Sequence, residues 1–96
     1  MNINDKVFNL TAPNFMLNKT YKLSKTGTGT LISVASPFVG NWEFEIDSSE
    51  LDYGLLCLNL TRYCGGELIQ DCFPMLSRQK RENFITPPHI WETLND

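Results

Sequence analysis

Apolar and polar residues alternate with a period of two through much of the first half of this chain, the pattern of strands that bury one face. Trp42, Phe44 and Ile46 interleave with Glu43, Glu45 and Asp47, so three large apolar side chains share one face and three carboxylates the other. The same period predicts a strand over 15–23, with Phe15, Leu17, Tyr21 and Leu23 opposed to Asn14, Met16, Asn18, Thr20 and Lys22. Residues 28–35 form a β-branched run in which Thr30, Ile32 and Val34 alternate with Leu31, Ser33 and Ala35. Residues 24–27 and 36–41 read as the turns between these strands, because glycine permits reversal and Pro37 cannot donate to a ladder.

The second half is less regular. Residues 48–53 make a polar link with room for one helical turn capped by Ser48 or Ser49. Residues 55–63 are apolar on both faces, which predicts a central strand. Gly65-Gly66 then reads as a hairpin turn and 67–73 as the returning strand, ended by Pro74. Helix formers fill 75–83 and predict a short helix, and 89–94 follow Pro87-Pro88 as a last helical turn. The first ten residues fit a helical face through Ile3, Val7 and Leu10, or a strand over 7–11. Together these elements predict one domain over 1–96, of α+β class leaning all-β. Its architecture is an antiparallel meander of about five strands with short helical segments near the termini.

Composition narrows the partners. With 42% hydrophobic and 20% charged residues, the 96-residue chain can bury enough surface to fold. Its net charge of −3 is unevenly spread. Residues 1–40 carry Lys6, Lys19, Lys22 and Lys25 against Asp5, whereas 41–71 carry seven carboxylates against Arg62 alone, a net of −6. Such a field attracts a basic protein partner and disfavours direct binding of nucleic acid. The basic run Arg78-Gln79-Lys80-Arg81 lacks interleaved aromatics and reads as a solvated helix. Gly27-Thr28-Gly29 lacks the lysine and helix of a phosphate loop. No leader-like segment or long apolar run is visible, so the expectation is a cytoplasmic protein away from membranes.

Catalysis finds little support. His89 is the only histidine, and Cys57, Cys64 and Cys72 are spaced seven and eight apart, without the knuckle that structural zinc requires. A Cys64–His89 nucleophile pair is the strongest enzymatic arrangement available, and it is outweighed by ordinary packed thiols. The chain is therefore expected to be no enzyme and to need no cofactor or metal. Carboxylates two apart on a strand stand roughly 6.5–7 Å apart, a glycosidase-like distance, yet an open strand face supplies no cleft. Trp42 belongs to the core, and Trp91 either pins the chain end or anchors a partner. The function expected is that of a small acidic inhibitor, of the kind immunity proteins and phage-encoded blockers represent. It would mask a basic, nucleic-acid-handling protein through Glu43, Glu45, Asp47, Glu50, Asp52 and Trp91. The alternative is a structural or assembly subunit that forms a homo-oligomer.

Overall fold

The alternating first half becomes a sheet. The computed structural model describes residues 5–12 and 17–88, and among these four strands pair antiparallel in sequence order. They are β1 (Lys6–Leu10), β2 (Lys19–Lys25), β3 (Gly29–Ser36) and β4 (Gly40–Asp47). The register sets Tyr21 opposite Val34, and Val34 opposite Trp42. Leu23, Ile32 and Phe44 form the next row. All six are buried on one face, as the alternation requires. Within the described part of the first ten residues, β1 is a strand and not a helical face, with Phe8 opposite Tyr21. β2 begins at Lys19 rather than earlier, Leu17 is exposed, and the expected strand position of Phe15 lies outside the described residues.

Among the described residues, three helices cover the apolar face: α1 (Tyr53–Cys64), α2 (Ile69–Cys72) and α3 (Arg78–Glu82). The expectation of a central strand over 55–63 is thus corrected to a helix, and among the described residues the meander has four strands, not five. The physical reason is visible in the residues. The segment 55–60 contains no β-branched side chain, and leucine is a strong helix former. Leu56, Asn59, Leu60 and Tyr63 recur at i, i+3, i+4 and i+7; the first three are buried and Tyr63 packs against the core, while Leu55 and Leu58 point to solvent.

The ends of α1 are equally explicit. Asp52, not Ser48 or Ser49, is the cap: its Oδ1 accepts from the Leu55 backbone N–H at 2.9 Å. Gly65-Gly66 ends a helix instead of turning a hairpin. The Gly66 N–H donates to the Tyr63 carbonyl at 3.0 Å and the Glu67 N–H to the Arg62 carbonyl at 3.2 Å, the paired bonds of a Schellman motif. Gly66 has φ +111°, open to glycine at no steric cost. The bidentate Arg62–Glu67 pair, 2.8 Å at its shortest, joins the two residues that this motif brings together. The expected returning strand over 67–73 is likewise α2, whereas the helix expected over 75–83 is present as α3.

Sheet and helices meet around Phe84, which stacks on Phe73 (centroids 4.7 Å apart) and meets Phe44 edge-on at 5.0 Å. Two sheet side chains satisfy the orphan carbonyls that follow α3. Trp42 Nε1 donates to the Asn83 carbonyl at 2.7 Å, and the Tyr21 hydroxyl donates to the Phe84 carbonyl at 2.6 Å. The helical turn expected over 89–94 lies outside the described residues.

Candidate functional site

With the helices on one side, the opposite sheet face is built from the alternate residues. The register aligns Val7, Lys22, Ser33 and Glu43 in one row across all four strands, and Asn9, Thr20, Ala35 and Asn41 in the next. Small side chains in the middle of this face leave an open depression of about 510 Å³, bordered by Lys22 on one side and Glu43 on the other. Ser33 Oγ donates to Glu43 Oε2 at 3.0 Å, and Thr20 Oγ1 donates to Asn9 Oδ1 at 2.9 Å, so part of the face is held by its own polar network.

Glu43, Glu45 and Asp47 lie exposed along this face on β4, where the alternation placed them. Among the described residues, strand order adds that β4 is an edge strand. In an antiparallel ladder, alternate residues direct both backbone groups to the neighbour and the others direct both outward. The Glu45 carbonyl belongs to the outward set: the Ser48 N–H donates to the Thr28 carbonyl at 3.0 Å, which makes Ser48, Ile46, Phe44 and Trp42 the residues whose backbone groups turn toward β3, and Lys80 Nζ on α3 meets the outward Glu45 carbonyl at 2.7 Å. Asn41, Glu43 and Asp47 share its parity. The carboxylate row and the free backbone edge therefore belong to the same residues.

The remaining candidates divide. Glu50 lies in the turn after β4, with its Oε1 3.9 Å from Lys80 Nζ, adjoining the acidic row. Asp52 is committed to capping α1, a structural task that sequence reasoning had folded into the acidic surface. Trp91 lies outside the described residues, as does His89. Lys80 was missed as a neighbour of the site. Nothing in the sequence pairs it with Glu45, 35 residues away.

The thiols are poorly placed for chemistry. Cys72 is fully buried and Cys57 and Cys64 partly so. Burial pushes the Cys64 thiol up to about 11, which leaves little thiolate at neutral pH. Among the described residues no three His, Cys, Asp or Glu side chains gather where they could hold a metal ion. None of the described helices is long and apolar enough to cross a membrane. In comparisons with protein-family models, curated proteins and solved structures, no match to this chain was found.

Proposed function

We propose that this chain is a small protein-binding inhibitor whose acidic β4 face masks a basic site on a partner protein. The observation that carries the reading is the row Glu43, Glu45 and Asp47: all three are exposed, and none forms an ion pair among the described residues. Like charges two apart on a strand repel slightly, and beyond accepting from Ser33 at Glu43 and from the Ser49 N–H at Asp47 these exposed side chains contribute little to the fold. A cationic surface relieves that repulsion and is steered to the row over a Debye length, about 8–10 Å at ordinary salt. Nucleic-acid-handling enzymes present such surfaces because their substrates are polyanions. The reading contains no catalytic step and sets the protein in the cytoplasm, where such partners work.

The test compares capture by wild type and by the triple variant Glu43→Lys, Glu45→Lys, Asp47→Lys from a lysate of the native host, with captured proteins identified by mass spectrometry. The expected result is a basic protein held by wild type at low salt, weakened as salt rises, and lost in the variant. Equal capture by both forms overturns the reading. A second reading, self-association as an assembly subunit, is favoured by one observation: Leu55 and Leu58 expose 49% and 58% of their surface side by side on α1. A strict monomer in sedimentation across concentrations removes it.

A further inference from the structure

An edge strand leaves half of its backbone N–H and C=O groups without a ladder partner, a standing template for another strand. β4 runs eight residues in unbroken register with β3, so no bulge twists its outer edge out of line. Along that edge Asn41, Glu43, Glu45 and Asp47 direct their backbone groups outward. Among the described residues, the outward N–H groups of Asn41, Glu43 and Glu45 have no bonding partner. The Asp47 carbonyl is taken by the turn that follows, through the N–H groups of Glu50 and Leu51 at 2.9 and 3.1 Å. The usable edge is therefore Asn41 through Glu45.

The molecule itself shows how a cation meets this edge. Lys80 Nζ reaches the Glu45 carbonyl at 2.7 Å and lies 3.9 Å from a Glu50 oxygen, so one ammonium engages an edge carbonyl close to an acidic side chain. We propose that the free edge of β4 is a strand-addition site. Its occupant is an extended segment of the partner with lysine or arginine at every second position. Charge complementarity selects this occupant. An added strand places side chains directly opposite Glu43 and Glu45 on the same open face, with Cβ atoms about 4.5–5.5 Å apart. Only a segment whose basic residues alternate matches both carboxylates while its backbone fills the ladder. Basic residues in a block would send half their charges to the face packed by helices. The proposal rests on the basic-partner reading above and names how that partner binds.

Two synthetic peptides test it: a seven-residue acetylated amide alternating lysine with valine and threonine, and one of the same composition with its lysines in one block. Binding to the full chain is followed by titration of ¹⁵N-labelled protein and by amide hydrogen exchange. The alternating peptide should bind about tenfold tighter than the block peptide or better, and should protect the amides of Asn41, Glu43 and Glu45 from exchange. Backbone N-methylation of one alternate set of peptide amides should weaken it about tenfold per bond lost, and methylation of the other set should not. Lys80→Ala frees the Glu45 carbonyl and should tighten the alternating peptide more than the block peptide. Equal binding of the two peptides, binding of neither, or insensitivity to N-methylation overturns strand addition. The capture experiment uses no peptide and judges the basic-partner reading separately.

Discussion

Tyr21→Phe removes a single oxygen from a fully buried side chain and leaves the ring, with its contacts to Phe84 and Tyr63, in place. The hydroxyl lost is the one that donates to the Phe84 carbonyl at 2.6 Å. That carbonyl then stays buried without its partner, at a cost of about 1–3 kcal/mol. A domain of this length has about 5–14 kcal/mol in total, so a sizeable share of its stability is at stake. In urea the midpoint should fall by about 1 M, given slopes of about 1–3 kcal/mol per M for small proteins. Alkaline pH supplies a second, independent signature. Burial pushes the Tyr21 phenol above its ordinary value, so the native state keeps a proton that the unfolded chain releases above about pH 10. The stability linked to that proton is complete below the unfolded value and is lost as pH rises beyond it, by at most about 1.4 kcal/mol per pH unit. Cys64 behaves alike between its ordinary value of 9.0 and about 11. Phenylalanine has no proton to lose, so the gap between wild type and variant should shrink above pH 10. Urea unfolding followed by circular dichroism at pH 7 and at pH 10.5 reads both effects. A loss under about 0.5 kcal/mol at pH 7, or a gap unchanged at high pH, would refute the assignment of Tyr21 as the clamp on Phe84.

Four further substitutions probe the fold. Leu56→Ala should cost about 2–5 kcal/mol and Leu58→Ala under about 1 in thermal or urea unfolding, because α1 turns Leu56 inward and Leu58 outward; equal costs would restore the strand reading. Gly29→Ala should destabilise by about 1–3 kcal/mol or prevent folding, since an added Cβ would collide with the Ile46 carbonyl oxygen and stand 2.9 Å from Asp47 Cα; a neutral outcome in the same assay contradicts the register of β3 on β4. Asp52→Ala should lose about 0.5–2 kcal/mol by removing the cap on the Leu55 N–H while leaving partner capture intact. Weakened capture in a folded Asp52→Ala protein would return Asp52 to the binding face.

How much of this was legible in the sequence differs by element. The inner faces of β3 and β4 follow from alternation alone, because a one-residue slip would send Ile32, Phe44 and Ile46 to solvent. α1 defeated the same reasoning. Apolar residues on both sides of a strand and a helix with leucines on its solvent face look identical when Leu55 and Leu58 are assumed buried. A leucine-rich composition without β-branched residues over 55–60, and Asp52 three residues before Leu55, were the signals that favoured the helix. At the site, the outward aim of Glu43, Glu45 and Asp47 was readable. Their place on an edge was not, because alternation carries no information about strand order. The Lys80 bond to Glu45 and the clamps on Asn83 and Phe84 join residues 35 to 63 apart, contacts that only the packed fold creates.

The carboxylate row has two physical consequences that one experiment separates. Charges along an edge strand deter pairing with a second copy, and lysines deter it as well as carboxylates do. Attraction of a basic partner, by contrast, depends on the sign of the charge. Full reversal of Glu43, Glu45 and Asp47 to lysine therefore keeps the edge guarded while abolishing the attraction. It should leave stability within about 1 kcal/mol of wild type, since the three side chains are exposed. Neutralisation by Glu43→Gln, Glu45→Gln and Asp47→Asn removes the guard and the attraction together, leaving Lys80 as the one cation bonded to the edge backbone among the described residues. The neutral variant should self-associate with rising concentration in light scattering, whereas the reversed variant should remain dispersed and fail to capture the partner. If the neutral variant stays as dispersed as wild type, the charges do not guard the edge. If the reversed variant captures as wild type does, they do not select the partner.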